Sequence, residues 1–505
     1  MIDFTPIARS IFSRRARKLR DYSSFSVEEM QLGTLSALVR RLSRTRYGSR
    51  YGITDDCNAT EFRRRLPLVQ YEDIRQEVMR AVSGEKDVLW PGRCRRYAQS
   101  SGTSGGKSKY IPITDRALKM NHFAGASDSL ISYLDHNPGS KIFSGKAFIL
   151  GGSYANALSL PPGVHVGDLS ASLIDCINPV ANLFRIPDKK IALMEDWNEK
   201  LPRLVDAAAR ADVTNISGVP SWFLTVLKEV TAHAGAKTIH EVWPNLEVFF
   251  HGGIAFDPYR SQYRELTDPQ KMHYVENYNA SEGFFAFQDD PASPGMLLLL
   301  DRDIFYEFIP LDSLDTPRPE TLTAAEVEQG KTYALVISSS CGLWRYIIGD
   351  TVRIHSLCPL RITVAGRTKS FINAFGEELM VYNAERAIER ACRICGCSVA
   401  NYTAAPLFAD NRHKGCHQWL IEWNNPPADI DRFADALDDC LQEENSDYQA
   451  KRQGSIFLNP PQIITARPGL FDRWLASTGK LGGQRKIPRL NNDRSLIDSL
   501  LQLNH

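Results

Sequence analysis

Apolar residues recur through the first two thirds of the chain in short runs bounded by turn residues: AFILGG at 147–152, LEVFFHGG at 246–253, MHYVENY at 272–278 and TYALVISSS at 332–340. Runs of this length, rich in aromatic and β-branched residues, predict buried strands. Between them, stretches such as PSWFLTVLKEVTAHAG have helical spacing, with Pro220 near the predicted start and Gly235 near the predicted end. Strands alternating with helices predict an α/β fold.

After about residue 365 the pattern changes. GRTKSFINAFGEELM leads into the helix-like VYNAERAIERACRIC and then the strand-like HQWLIEW. Pro426 and Pro427 introduce ADIDRFADALDDCLQEEN, in which Ile430, Phe433, Leu437 and Leu441 recur at helical spacing over an acidic face. The expected organisation is a large N-terminal α/β domain over 1–365 and a smaller C-terminal α+β domain over 366–505, with no internal repeat and no low-complexity segment.

Composition adds little to this picture. The 505 residues, 43% hydrophobic and 24% charged, provide core enough for two or more domains. A net charge of +1 gives no general case for binding nucleic acid or a membrane and favours small-molecule work. The local exception is the N-terminus, where Arg9, Arg14, Arg15, Arg17, Lys18 and Arg20 follow one another without an acid between them. A transit peptide or a lipid-facing helix would have this character. Ile7, Ile11 and Leu19, however, supply an inward face and predict a packed first helix with a solvated basic side. No apolar run approaches the roughly 18 residues of a membrane span and no secretory signal opens the chain, which predicts a cytoplasmic protein. Ten cysteines without regular spacing suit reduced thiols. Cys392, Cys395, Cys397, His413, Cys416 and His417 fit no zinc-ribbon or zinc-finger spacing closely.

The most informative segment is SSGTSGGKSK at 100–109, followed at once by the extended-looking YIPIT. Glycines at 102, 105 and 106 permit close backbone approach, and Ser100, Ser101, Thr103, Ser104, Lys107 and Lys109 add donors and charge for anionic oxygens. A P-loop is excluded because Gly102 to Gly106 leaves three residues where that pattern needs four. Gly102-Thr103-Ser104-Gly105-Gly106 satisfies G-x-S-x-G, yet a hydrolase elbow requires a helix after it. A plain surface loop and a loop over the phosphates of ATP between two strands remain, and the distant motifs favour the second.

Those motifs, four in number, are glycine-rich and polar and are predicted at strand ends, where open α/β sheets bind ligands. Gly252 and Gly253 follow one strand, leaving backbone against which a flat base can slide. In ENYNASEG, Asn277 and Ser281 flank a stacking ring, Tyr278, and a carboxylate for phosphate-bound magnesium, Glu282; a helix-dipole role for Glu282 is the alternative. In LWRYIIGDTVRI, Asp350 at a strand end could accept two ribose hydroxyls, although Gly349-Asp350 is also an ordinary turn pair. KLGGQRKIPRL groups Lys480, Arg485, Lys486 and Arg489 around a turn, either a surface tail or a source of one lysine for an active site.

Taken in order, these segments resemble the Gretchen Hagen three family of acyl acid amido synthetases, within the adenylate-forming superfamily, from about residue 60 to 490. SSGTSGGKSK is similar to the family's Ser-Ser-Gly-Thr-Ser signature. YNASEG corresponds to its Tyr-Ala-Ser-Ser-Glu motif with Asn279 and Ala280 as departures, and WRYIIGD parallels Tyr-Arg-x-x-Gly-Asp with Trp344 replacing tyrosine. WPNLEVFFHGG, GRTKSFINAFGEEL and GGQRKIPRL resemble the bacterial branch.

The resemblance implies a two-step reaction: a carboxylate attacks the α-phosphate of Mg-ATP to give an acyl-adenylate and pyrophosphate, and an amine, an amino acid in the first instance, then takes the acyl group and releases AMP. It implies that Ser101, Thr103, Ser104 and Lys107 or Lys109 hold the phosphates, Glu282 the magnesium and Asp350 the ribose. Lys486 corresponds to the superfamily's adenylation lysine, and Arg367 with Lys369 to its hinge. A thiol acceptor, as in an acyl-CoA or carrier-protein ligase, would use the same first step, and a catalytically silent nucleotide-binding regulator could keep the fold. His122, Phe123, Tyr154, Leu158, Trp222 and Phe223 lie where an acyl pocket could form and favour an aryl or medium-length acid, although each could equally be core.

Overall fold

The computed structural model describes residues 2–504 except 101–108, 155, 157, 254–255, 257–258, 315, 368–370, 373–378, 408–414, 446–447, 450–451, 453–457, 478–486 and 492–493; for Ser100, Trp197, Asn198, Ser221, Arg367 and Phe371 it describes the backbone alone. The chain divides into two compact units, Met1–Ile348 with Val352–Thr363, and Gly349–Thr351 with Val364–His505.

The larger unit begins with helices α1 (Thr5–Arg20) and α2 (Val27–Leu42). Strands β1 (Arg96–Ser100) and β2 (Lys109–Pro112) form an antiparallel pair, and α3 (Phe123–His136) follows. Next come β3 (Lys146–Ile149), β4 (His165–Gly167), β5 (Arg185–Ile186), β6 (Val213–Gly218), α4 (Pro220–Ala234) and β7 (Val248–Gly252). Strands β8 (His273–Ala280), β9 (Gly283–Phe287), β10 (Met296–Leu298), β11 (Ile304–Pro310), β12 (Leu322–Thr323), β13 (Thr332–Ser339), β14 (Leu343–Leu357) and β15 (Leu360–Arg367) complete the series. Twelve of these strands make one sheet in the order β12-β11-β13-β14-β15-β10-β9-β8-β7-β6-β3-β5, and β2-β1-β4 make another.

Neighbours from β5 through β3, β6 and β7 to β8 are parallel, and β8 with β9 starts the antiparallel half. The period-2 alternation of side chains determines how the parallel half is covered. Phe249 points into a cluster with Phe148, Phe223, Trp243 and Tyr263, whereas Val248 packs with Tyr133 and Leu134 of α3 on the other face, with Phe250 beside them. Helix α4 begins at Pro220 and ends at Gly235, whose φ of 64° is the left-handed C-cap that glycine adopts without a Cβ penalty. In the antiparallel half, the carboxamide of buried Gln31 on α2 donates to the carbonyls of Leu300 and Ile304 and accepts from the Tyr306 N–H.

The first helix forms as expected but with another side inward. Ile7 and Ile11 are 58% and 72% exposed, and only Leu19 of the three predicted inward residues is packed. Thr5, Phe12 and Leu19 are the residues turned inward, and the fully buried Asp128 on α3 draws Arg15 to it as well. A buried carboxylate requires cations, and Arg15 grips it through Nε at 2.8 Å and Nη2 at 2.5 Å while also reaching Asp301 at 2.7 Å. Arg302 holds Asp128 from another side, Lys18 reaches Asp301, and Arg9 donates to the carbonyls of Leu134 and Asn137. Half of the expected solvated basic face is therefore the buried, paired face.

The smaller unit contains α5 (Val381–Cys395), β16 (Ser398–Leu407), β17 (Cys416–Asn425), α6 (Ile430–Glu444) and β18 (Gln462–Thr465), with the sheet order β16-β17-β18. Phe433, Leu437 and Leu441 of α6 are buried against Ala384, Ala387 and Ile388 of α5 and Trp419 of β17. The acidic face of α6 has one exception: Asp438 is buried, paired with Arg452 at 2.6 Å and accepting from the Tyr448 hydroxyl at 2.8 Å. No helix among the described residues is long and apolar enough to cross a membrane.

Candidate active site

The hairpin of β1 and β2 determines what the loop 101–108 can be. Their register ends at Ser100 opposite Lys109, so the loop joins two antiparallel strands. Both a P-loop and a nucleophile elbow require a helix directly after the loop, and here a strand follows. Tyr110 N–H donates to the buried Tyr71 hydroxyl at 2.8 Å and Thr114 caps the next helical turn, which fixes the outgoing strand. Ser101, Gly102, Thr103, Ser104, Gly105 and Lys107 lie outside the described residues, as do Lys480, Arg485, Lys486 and Lys369; Ser100 and Arg367 are described as backbone only.

The carboxyl ends of the parallel strands form a rim of small residues. Gly218 of β6 is in register with His251 of β7, and Gly252 with Asn277 of β8. A Cβ on Gly252 would lie 2.2 Å from the Asn277 carbonyl oxygen, so only glycine lets these two strands come this close. Gly253 has φ of 84°, a left-handed turn that carries the chain off the sheet. Asn277 is anchored by the Ser129 hydroxyl at 2.7 Å. The Tyr278 ring, almost fully buried, packs on Phe285 with centroids 4.8 Å apart, so the core takes up part of the ring expected to stack on a base.

Two candidate carboxylates have settings that differ from expectation. Ser281 and Glu282 form the turn of the β8–β9 hairpin, with Ala280 opposite Gly283 and both turn residues buried. This removes the helix-dipole role for Glu282, because no helix starts there. Asp350, buried, sits in the middle of the fifteen-residue strand β14 rather than at a strand end or in a turn. Gly349 before it has φ of 91°, a local irregularity in that strand.

The neighbouring motif residues Trp344 and Arg345 are architectural. Trp344 Nε1 donates to Leu89 O at 2.9 Å, and its ring stacks with Trp90. Arg345 is paired with Glu307, which is fully buried, and also donates to the carbonyls of Arg63 and Leu66. Glu307 gave no signal in the sequence beyond being a lone acid in an apolar strand, IFYEFIP.

Of the residues considered for an acyl pocket, Phe223 is pure core, 5.2 Å from Phe148 and 5.4 Å from Phe249 between ring centroids. Phe123, Tyr154, Leu158 and Trp222 remain partly exposed. Sequence reasoning missed Lys200. Its ammonium is buried and donates to Gly151 O at 2.6 Å, holding the loop that leaves β3, and burial pushes it down to about 8.

His122 closes a short π-helical segment, Leu118–His122, and its Nε2 has no hydrogen-bond partner among the described residues. Burial pushes this imidazole down to about 4, and His251, stacked on Phe256 at 4.3 Å, down to about 3 for the same reason, aided by Arg260. Both are neutral bases that the unfolded chain protonates more readily. Their contribution to stability is therefore complete above about pH 6.5 and is lost as pH falls toward 4, by up to about 1.4 kcal/mol per pH unit for each. His122→Asn is expected to flatten that acid-side decline in a chemical unfolding series between these pH values. An unchanged slope would remove His122 as a contributor.

Comparison with known proteins places this geometry. The GH3 family N-terminal domain matches residues 17–272, the central domain 297–367 and the C-terminal domain 382–495. An indole-3-acetic acid-amido synthetase of Oryza sativa subsp. indica is 24% identical over 568 residues, covering 96% of this chain and 92% of that protein. A jasmonoyl-L-amino acid synthetase of Nicotiana attenuata is 22% identical, covering 65% of this chain and 66% of that protein. Among solved structures, an acyl acid amido synthetase in complex with 2,4-DB superposes with a TM-score of 0.78 at 18% identity, covering 97% of this chain and 95% of that one. A 2-hydroxyisobutyryl-CoA ligase in the postadenylation state gives 0.61 at 12% identity, covering 94% and 90%. Three matched domains, in order and spanning most of the chain, lead to one conclusion: this chain belongs to the GH3 family.

Proposed function

We propose that this chain is an ATP-dependent acyl acid amido synthetase, which adenylates a carboxylic acid with release of pyrophosphate and then transfers the acyl group to an amine, an amino acid in the first instance. The observation that carries this reading is the ordered match of all three GH3 domains across the chain, in the company of amido synthetase relatives spanning nearly its full length. The thioester ligase that shares the fold keeps the acceptor open to test.

In-line displacement at a phosphate depends mainly on positioning and charge neutralisation. Ser101, Thr103, Ser104 and Lys107 or Lys109, on the hairpin loop and its exit strand, are assigned to the phosphates, with Ser100 and Gly105 shaping the loop. Gly252 and Gly253 leave bare backbone at the sheet edge for the base, Asn277, Tyr278 and Ser281 line the strand beside it, and Asp350 takes the ribose. Glu282 fits magnesium by donor type, since a carboxylate oxygen suits a hard cation that keeps most of its ligands from water and phosphate. Magnesium bound there would neutralise charge on the phosphates. Lys486 stabilises the charge that builds up as the bond to pyrophosphate breaks.

The partly exposed aromatic residues Phe123, Tyr154 and Trp222 favour an aryl or medium-length acid. Residues 366–505, with Arg367 and Lys369 at their start, form a small domain that swings between the half-reactions. Ten free thiols and the absence of a long apolar helix among the described residues suit a cytoplasmic enzyme. The reading is tested by acid-dependent release of pyrophosphate from Mg-ATP. Glu282→Ala is expected to raise the magnesium concentration needed for half-maximal release by about tenfold or more. An unchanged magnesium dependence would return Glu282 to a structural role.

A further inference from the structure

We infer that the outward face of α1 and the short helix Pro179–Leu183 together form a docking surface for an anionic lipid bilayer. Six of the twelve large apolar side chains exposed among the described residues lie here: Ile2, Phe4, Ile7 and Ile11 at the N-terminus, and Val180 and Leu183 on the short helix, the last two 65% and 67% exposed. They belong to one patch. The Phe4 ring meets Phe184, next to Leu183, edge-on at 5.6 Å, Phe143 meets the same ring at 6.5 Å, and the Phe4 N–H donates to Phe143 O. Apolar surface concentrated in this way marks an interaction site.

Charge selects the occupant. Arg14 and Arg17 stand exposed one to two turns beyond Ile11, and Lys141 is exposed two residues before Phe143. Within α1 no acid occurs; Asp3, between Ile2 and Phe4, accepts from the Thr5 N–H with Lys141 near it, and Asp128, Asp301 and Asp135 are paired with Arg15, Lys18 and Arg20. Isoleucines on a ridge with arginines long enough to reach back to headgroups match an interfacial helix, whose apolar residues enter the acyl boundary while its cations meet anionic lipid. The expectation of no membrane partner rested on the net charge of +1 and on Ile7, Ile11 and Leu19 facing inward.

The test is flotation of the full chain with vesicles of phosphatidylcholine alone and with about one third phosphatidylserine. The chain is expected to float with the anionic vesicles only and to be released by added salt. Ile7→Glu/Ile11→Glu should lower the bound fraction by on the order of 100-fold, and Arg14→Glu/Arg17→Glu by on the order of tenfold. Thermal midpoint and acid-dependent pyrophosphate release in free solution should be unchanged in both variants. Failure of the wild-type chain to bind anionic vesicles at low salt, or full binding by the isoleucine variant, would overturn the assignment. Conversion of a dimer to a monomer by Ile7→Glu/Ile11→Glu in light scattering would assign the face to a second copy instead.

Discussion

Lys486→Ala is expected to lower acid-dependent pyrophosphate release by about 10²–10³-fold while leaving ATP binding within a few-fold of the wild type. The magnitude is that of removing one preorganised charge aimed at developing negative charge in a transition state. The asymmetry follows from where the charge builds up: in the proposed reading ground-state ATP rests on the glycine-rich loop and the strand ends, and the lysine acts most strongly as the bond to pyrophosphate breaks. Lys486→Arg should recover part of the rate, since it keeps the cation in a different shape. The check pairs calorimetric or fluorescence titration of ATP with a continuous pyrophosphate assay. Equal loss in binding and rate would make Lys486 a ground-state ligand, and no loss would remove it from the site.

Arg345→Met is expected to be the most destabilising single substitution in the candidate motifs, by about 3–5 kcal/mol. It would leave Glu307, fully buried, with the Thr321 hydroxyl at 2.8 Å in place of a two-pronged guanidinium, and would strip the carbonyls of Arg63 and Leu66 of their donor. Arg345 has φ of 47°, so methionine at this position meets the same backbone demand and the substitution reads the side chain alone. Because a buried pair can often be replaced by apolar residues of similar volume, Arg345→Met/Glu307→Met should recover most of the loss. Urea unfolding of the three proteins checks both statements. A single-variant loss below about 1 kcal/mol would mean that Glu307 is accommodated without its partner.

These two residues also show what a sequence can and cannot say. Periodicity located the four strands around the site and helix α4, because core-facing residues must recur at the spacing of the element they sit on. The strand that follows residues 101–108 was legible because YIPIT reads as extended chain. Arg345 and Glu307 were not legible as a pair: they are distant in sequence, and neither strand pattern shows that their side chains meet. The inward side of α1 was misread for a related reason: Arg15 reads as a solvated cation, but Asp128, distant in sequence on α3, binds it, while Ile7 and Ile11 stay exposed. Gly349-Asp350 resembles a turn in isolation and becomes mid-strand only because β13 and β15 flank it. Local element type was therefore readable, whereas long-range electrostatic pairing was not.

The central claim is that an adenylated acid is passed to an amine. The most direct measurement incubates the enzyme with Mg-ATP and a panel of carboxylic acids, each without acceptor, with mixed amino acids and with coenzyme A, following pyrophosphate and identifying products by mass spectrometry. The account predicts acid-dependent pyrophosphate release that amino acids accelerate, with an N-acyl amino acid and AMP as products. Acceleration by coenzyme A alone, with a thioester as the product, would contradict it.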